Sequence, residues 1–500
     1  MHQNGIRHIV IAGGGSAGWM VASALAKVFK DKIRLTLVES TDIGTVGVGE
    51  ATIPPIQSFN QLLGIDERYF IQQTDATIKL GIEFAGWGQT SSQYMHAFGD
   101  VGSNVGLTHF INYWLRQSPQ NASDYWRYSL NFLAAKANKF SPAKTLPGTT
   151  IPGLSYAYHF DASAYARLLR DYAVKLGVHS IDAKISRVNI CPSSGNIRDL
   201  ILDDNQVVAA DFFIDCSGFR GLLIEEALNT GYESWQHWLP ADSAIAIQTR
   251  QGNTTQPYTR SIAHATGWQW HIPLQSRTGN GMVYSSAFMQ QEQALDTLLQ
   301  HLPEGERSDP KFLRFTTGRR KKQWHKNCLA LGLASGFLEP LESTSLHLIQ
   351  SGIGRFLKLF PQNPADSCLA DEFNRQADLE IEAIRDFIIL HYHLNQRSEP
   401  FWKRCREMAV PDSLTERIAL FADSGRVFRR SDELFSEMGW YQVLLGQGIM
   451  PHSYSPLANT LPEAECSDFM SNISAVFSGY VSQLPTQESY LHGISAKKNQ

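Results

Sequence analysis

The segment "RHIVIAGGGSAGWMVASALAKVF" constrains this chain more than any other. An apolar strand runs into a glycine turn, then into a helix whose alanines and apolar residues recur at helical spacing. Gly13, Gly15 and Gly18 form G-x-G-x-x-G at that junction, where a dinucleotide fingerprint has to sit. Gly13 permits the tight turn, Gly15 lets a pyrophosphate approach the backbone, and Gly18 lets helix and strand pack closely. Ser16 and Ala17 complete the loop, and phosphates would rest on the free N–H groups of the helix N-terminus. A second strand, "IRLTLVES", ends in Glu39, which lies 39 − 18 = 21 residues past the last glycine. The interval to a ribose-binding acid is ~20 residues. A lone G-x-G-x-x-G is often accidental; here strand, helix and acid are all in place. A glutamate rather than an arginine disfavours a 2′-phosphate, while FAD and NAD both remain open on this motif.

Five hundred residues allow two or three domains, or one large α/β domain with an appendage, and 43% hydrophobic with 18% charged residues supplies a sizeable core and excludes disorder. A net charge of -4 without a basic run excludes a nucleic-acid partner held by phosphate neutralisation. Six scattered cysteines without a CxxC pair argue against a zinc site or a disulfide framework, so no metal is expected and a reducing cytoplasm suits the chain. The apolar stretch near the N-terminus is far shorter than the ~20 residues of a membrane span. Glycines interrupt it and no small-residue cleavage site precedes it, so a soluble, cytoplasmic protein with no membrane partner is expected.

Residues 77–84, "TIKLGIEF", alternate as a strand, with Ile78, Leu80, Ile82 and Phe84 on one face and Thr77, Lys79, Gly81 and Glu83 on the other. From 85 to about 155 the chain is rich in Gly, Ser, Tyr and Trp with weak periodicity, and reads as long, partly irregular connections. Asp161 has the position of an N-cap for a helix through Leu176, closed by Gly177. "ADFFIDCSGFRG" is a buried strand ending in Asp-x-x-Gly, Asp215 to Gly218, the kind of late strand with which large flavoproteins return to their cofactor. That moves the reading toward FAD, although an ordinary buried strand and turn has the same pattern. "CLALGLASGFLEPLESTSLHLIQSGI" is a further strand, a punctuated turn and a helix, and beyond Pro361 the pattern is helical. In "GWQWHIPL", Trp268 and Trp270 fall on the same face of a strand, where two rings build a wall. Two core aromatics are the commoner fate of such a pair. The fold class read from these features is α/β, FAD-binding and Rossmann-like, with a core over 1–360 that includes a substrate-facing insertion at about 85–155. A mainly helical region over 361–500 is expected to cover the substrate site.

"GGGSAGWM", "VGVGEATIPPI", "LTLVES", "ATIKLGIEF", "YAYHFDA", "FIDCSGFRGLLI", "GWQWHIPL" and "FLEPLESTS" occur here in the order found in flavin-dependent tryptophan halogenases. The chain resembles that family over roughly residues 5–360, and WxWxIP is the most specific element, since flavin hydroxylases share the fold but lack it. The resemblance implies that FAD, reduced by a separate NADH-dependent flavin reductase, acts with dioxygen and a chloride or bromide ion to give hypohalous acid. The tryptophan wall would keep the small aromatic substrate from the activated flavin, and the oxidant would travel through an interior passage to a lysine beside that substrate. A homodimer is left open.

The same resemblance assigns roles by position. Lys79 occupies the catalytic site of "ATIKLGIEF", where it either polarises hypohalous acid by a hydrogen bond or carries the halogen as a haloamine. Burial lowers an amine's pKa and so tunes which form prevails, whereas a lysine on a strand's polar face is ordinarily a solvated charge. Glu342 in "EPLESTS" matches a glutamate that stabilises the cationic ring intermediate and accepts its proton, although helix-dipole complementarity would also place an acid there. Thr344 and Ser345 open a helix whose free N–H groups would hold the halide, and several relatives have glycine at the position of Ser345. Leu333, Leu346, Ala51 and Ile185 join Gly13, Gly15, Ser16, Ala17, Gly18, Glu39 and Asp215 as flavin contacts, with core packing the alternative for the leucines. His96 and Phe98 in "YMHAFG" line the aromatic pocket.

One stretch departs from the tryptophan-specific pattern. "RRSDELFSEMGWYQ" is shorter than its counterpart and has no Tyr-Tyr or Phe-Trp pair. A zwitterion needs paired polar groups at both ends, because an unpartnered charge in a pocket is costly. Indole or another electron-rich aromatic, rather than free tryptophan, is therefore the expected substrate. A flavin-dependent hydroxylase and a non-catalytic flavin-binding protein are the alternatives. One clear G-x-G-x-x-G, with no second site for NADPH, weighs against the first; retention of Lys79, Glu342 and both tryptophans weighs against the other.

Overall fold

In the computed structural model the described residues are 5–42, 50–250, 252, 255–363 and 367–496. Part of the "VGVGEATIPPI" motif, residues 46–49, lies outside them. The chain divides into two compact units, the first of Met1–Asp75, Phe160–His237 and Phe315–Ile381, the second of Ala76–His159, Trp238–Arg314 and Glu382–Gln500. This division crosses the chain repeatedly and does not follow a linear boundary at 360/361, because strand pairing joins segments far apart in sequence. In the second unit Gly81–Ala85 pairs with Thr259–His264.

The first unit is built on a six-stranded sheet in the order Trp324–His325, Cys328–Ala330, Phe212–Asp215, His8–Ala12, Arg34–Glu39, His179–Asp182. All pairs are parallel except the one at the Trp324–His325 edge. Every residue of His8–Ala12 is buried, as a continuous apolar run in a parallel sheet should be. The helix Ser16–Phe29 follows His8–Ala12 and the helix Ala162–Lys175 precedes His179–Asp182, and Asp161 caps the second helix by accepting from the N–H of Ala164 at 2.8 Å. A three-stranded antiparallel sheet, Ile185–Ile190, Ile197–Leu202 and Val207–Ala209, packs its apolar side into the same core. The register aligns Ala12 with Val38 and with Asp215, so the ends of three strands meet at Gly13, Glu39 and Cys216, where an open α/β sheet offers its crevice.

The second unit carries a seven-stranded sheet in the order Lys311–Arg314, Ser243–Arg250, Arg277–Tyr284, Gly267–Pro273, Thr259–His264, Gly81–Ala85, Gln93–Ala97. "TIKLGIEF" is not one strand. It breaks at Leu80 into Thr77–Lys79, which pairs with Ala157–Phe160, and Gly81–Ala85, which enters the large sheet. Residues 85–155, expected to be irregular, hold the strand Gln93–Ala97, the helices Phe110–Arg116 and Leu130–Lys136, and the 3-10 turn Ala122–Tyr128. These elements are too short to show periodicity; buried aromatics such as Trp114, Tyr125 and Trp126 hold them. From Ser367 onward the described elements are helical. No helix among the described residues is long and apolar enough to cross a membrane.

Phe84 anchors this unit: its ring lies 5.0 Å from Tyr94, 4.4 Å from His391 and 5.7 Å from Trp87, all buried. Phe84→Ala is expected to cost about 3–5 kcal/mol, the range for a large aromatic cut from a close-packed core. Urea unfolding followed by tryptophan fluorescence measures it.

Candidate active site

In the first unit the expected cofactor residues converge at the strand ends. Gly13 has φ +110°, and its N–H donates to the Val38 carbonyl at 2.8 Å. A side chain on Gly18 would collide with the Gly13 carbonyl, and one on Gly14 with Glu39, so the loop is pressed against strand and acid. Above Gly15 there is open space to 4 Å, and no side chain caps the helix it begins. That combination is what a phosphate-bearing ligand requires. Glu39 is half-buried and accepts from Trp19 Nε1 at 3.2 Å, and Arg170 lies 3.5 Å from its carboxylate. Ser16 Oγ donates to the Ala162 carbonyl at 3.5 Å, and Ala17 abuts Gly332, which brings Leu333 to the same loop.

Asp215 is fully buried, and its carboxylate accepts from the N–H groups of Ser217, Leu223 and Ile224 at 2.8–2.9 Å. It shapes the turn after its strand, which leaves the turn's backbone rather than the carboxylate to meet a ligand. Ile185 is half-buried against the core cluster that includes Val10, Ala12 and Val38, and Ala51 ends the short strand Glu50–Ala51.

The helix Ser345–Lys358 begins at Thr344, which makes no side-chain cap, and Thr344 Oγ1 is buried with no hydrogen-bond partner among the described residues. An uncapped N-terminus beside an orphaned hydroxyl fits a small anion. Ser343, at φ +59°, makes the sharp entry that follows the turn Pro340–Glu342, and Glu342 is fully buried. Leu346 is buried on the first turn of the helix. Farther along, Glu380 accepts from His347 and Ser351 and pairs with Arg355 at 2.6 Å; despite burial, the His347 hydrogen bond and the Arg355 guanidinium hold its carboxyl below the usual range.

In the second unit Lys79 is 0% exposed, so it is not a solvated charge. Its Nζ lies 5.4 Å from the centroid of the Phe98 ring, a cation–π distance. Two residues before it, Thr77 Oγ1 donates to the carbonyl of Pro273, the end of the tryptophan segment, at 2.6 Å. With that proton committed, His159 donates from Nδ1 to Thr77 at 3.0 Å, and its Nε2 accepts from Thr259 at 2.9 Å. Burial first, then the charge of Lys79 and the neighbouring His271, pushes the His159 pKa well below its ordinary 6.5. Glu83 is buried between Lys136 and Arg260, with Arg260 Nε at 2.9 Å.

Trp268 and Trp270 are both buried on Gly267–Pro273, with ring centroids 6.2 Å apart. Trp268 continues into a cluster with Trp87, and through it Trp402 and Tyr392, so the wall is several rings deep. Trp270 lies over Gly281, where any side chain would strike it, and its Nε1 has no partner among the described residues. His96 faces Phe387 and Phe435 at 5.4 and 5.9 Å, and a side chain on Gly439 would strike its Nε2. Phe435, from the shortened stretch, stacks on Phe387 at 3.9 Å. Around it charges pair with one another, Arg417 with Glu433 in two bonds and Arg430 with Glu416, while Glu437 accepts from the backbone N–H of Arg429. The sequence reading assigned no role to His159, Glu83, Phe387 and Phe435, although His159, Glu83 and Phe435 lie inside segments it singled out, "YAYHFDA", "ATIKLGIEF" and "RRSDELFSEMGWYQ". No cluster of His, Cys, Asp and Glu among the described residues has the form of a metal site.

The glycine loop on the central parallel sheet, with an acid at the end of the adjacent strand, defines an α/β dinucleotide-binding protein. A family model described as tryptophan halogenase matches residues 8–463. The tryptophan 6-halogenase SttH of Streptomyces toxytricini is 34% identical over 518 residues, 98% of each chain. Among solved structures, Xcc4156, a flavin-dependent halogenase from Xanthomonas campestris, is 46% identical with a TM-score of 0.94 over 98% of both chains. BrvH, a flavin-dependent halogenase from Brevundimonas sp. BAL3, is 41% identical with a TM-score of 0.93, over 98% of this chain and 99% of that one. The chain belongs to the tryptophan halogenase family of flavin-dependent halogenases, and is an oxidoreductase by class.

His159 is held neutral, so below pH 6.5 the unfolded chain binds a proton that the folded chain refuses. His271 is depressed in the same sense, mainly by burial. Their contribution is complete above 6.5 and is lost as the pH falls below it. Thermal unfolding midpoints are expected to drop between pH 6.5 and about 5, and His159→Gln to flatten that slope.

Proposed function

We propose that this protein halogenates indole or a similar electron-rich aromatic, with Lys79 delivering the halogen. The observation that carries the proposal is the Lys79 ammonium, wholly buried beside the Phe98 ring on a strand fastened to the tryptophan segment. Reduced FAD, supplied by a separate NADH-dependent reductase, provides with dioxygen the two-electron oxidation of chloride or bromide to hypohalous acid.

The chain's own residues do the rest. The loop of Gly13, Gly15, Ser16, Ala17 and Gly18 holds the pyrophosphate and Glu39 the ribose, with Ala51, Ile185, Leu333, Leu346 and the turn shaped by Asp215 as further flavin contacts. The N–H groups after Thr344 bind the halide; since backbone makes the site, serine at 345 preserves it and alters only its shape. Trp268 and Trp270 bar the organic substrate from the flavin, stiff rings filling volume with little rotational freedom. Lys79 either donates a hydrogen bond to hypohalous acid or exchanges an N–H proton for the halogen, releasing water. The ring carbon then forms its bond to halogen, and Glu342 stabilises the cationic ring and takes the proton that restores aromaticity.

His96 and Phe98 line the aromatic pocket, which Phe387 and Phe435 extend. Arg417 with Glu433 and Arg430 with Glu416 are engaged with one another and not free to grip an amino acid's amine and carboxylate, which favours indole over free tryptophan.

Protein, reductase, NADH, FAD, air and bromide, incubated with equal indole and tryptophan, are expected to give a bromine isotope doublet on indole in preference to tryptophan by mass spectrometry. Lys79→Ala is expected to abolish the doublet and keep FAD binding. A product gaining only oxygen, or tight binding and strong preference for tryptophan, rejects the corresponding part of the reading.

A further inference from the structure

Among the described residues the strand Thr77–Lys79 has one pairing partner, Ala157–Phe160. Alternate N–H groups of such an edge point away from the partner and need acceptors elsewhere. The Leu80 N–H finds the Pro257 carbonyl at 2.7 Å. The Ile78 N–H finds Oε1 of Gln487 at 2.8 Å, 409 positions away in the chain. Gln487 Nε2 then donates to the carbonyl of Thr255 at 2.8 Å. A carboxamide carries the donor and acceptor of a peptide group. The Gln487 side chain therefore stands in for the missing backbone pair between Ile78 and Thr255, one rung from the direct bond at Leu80 and Pro257.

Gln487 is itself held firmly. It is 0% exposed and opens the helix Gln487–Ala496, and its N–H donates to the Asn138 carbonyl at 3.0 Å. Phe140 N–H donates to Pro485, and the Phe140 and Tyr490 rings meet at 4.9 Å. The Leu80 carbonyl accepts from the Phe98 N–H at 2.9 Å and from Asn131 Nδ2 at 3.2 Å. The backbone on both sides of Lys79 is thus pinned, from one direction by Gln487.

We propose that Gln487 is a positioning residue for Lys79, setting where the amine stands while touching neither substrate nor halide. The proposal rests on the reading of Lys79 as the residue that delivers the halogen. A displacement of 1 Å in a reacting group costs up to about a hundredfold in rate, and at Ile78, the residue just before Lys79, it is Gln487 that holds the outward-facing N–H of this three-residue strand.

The test uses the full-length holoenzyme with bromide and indole. Gln487→Met, which fills the space without bridging, is expected to lower kcat about tenfold or more. It should leave FAD affinity and the KM for indole unchanged, and displace the pH profile of kcat. Gln487→Glu keeps the acceptor for Ile78 and is expected to recover part of kcat. Unchanged kcat and pH profile in Gln487→Met overturn the proposal. So does a fall in kcat matched by equal losses of FAD affinity and indole affinity, since that is general damage. Lys79→Ala runs alongside: if it still brominates, the reading of the lysine fails, and the inference fails with it for that separate reason. Should neither Gln487 variant fold, amide hydrogen exchange at Ile78 in the unaltered enzyme decides. Slow exchange is expected, and exchange at the rate of an open loop overturns the bridge.

Discussion

A single hydrogen bond from Thr77 Oγ1 to the Pro273 carbonyl joins the strand that carries Lys79 to the strand that carries Trp268 and Trp270, across 196 positions of sequence. Its consequences spread outward. Burial and the charge of Lys79 hold His159 neutral, and because the Thr77 hydroxyl proton goes to Pro273, the neutral ring donates from Nδ1 and accepts at Nε2, which fixes its tautomer. A charged histidine there would be buried beside Lys79, which desolvation and like charge both disfavour. The polar chain Pro273–Thr77–His159–Thr259 is fully satisfied, and satisfied networks in a low-dielectric interior are rigid. The amine at Lys79 is therefore presented from a stiff frame, although the strand that bears it is only three residues long.

The two units use different physics for their functional groups. In the first, the features suited to anions are made of backbone: the uncapped start of Ser16–Phe29 and the uncapped start of Ser345–Lys358. Such features tolerate a change of side chain, provided the loop geometry survives. In the second, the features proposed to act are side chains: an amine, two indoles, an imidazole and stacked phenyl rings. Removing a charge such as the amine from water is costly unless it is compensated. Glu83, set between Lys136 and Arg260, shows how a buried charge in this unit is compensated. Depth of aromatic packing behind Trp268 serves the same rigidity, since rings locked against rings leave no room for a wall to move.

The portion of this architecture legible in the sequence was the local portion. The glycine loop, the helix behind it, the acid at Glu39 and the cap at Asp161 each depend on residues within one strand–turn–helix unit, and they stand where their spacing put them. Other features were misread because neighbours distant in sequence overrule local pattern. The alternation of "TIKLGIEF" describes one strand, yet Leu80 hands the chain from one sheet to another, and both of its faces are buried. Residues 85–155 looked irregular because their short helices are held by rings rather than by a periodic stripe.

By itself the sequence determined the class: a dinucleotide-binding turn on a parallel sheet, and a set of motifs whose order marks the halogenase family. Such information survives in a string because a turn, a cap and a motif are short-range objects. Tertiary structure decided the environment of each group: that Lys79 is buried rather than solvated, that Asp215 braces a turn with its own carboxylate, and that Gln487 reaches the lysine's strand from the far end of the chain. Burial, pairing and protonation are set by what surrounds an atom in three dimensions, and no spacing along the chain encodes those surroundings.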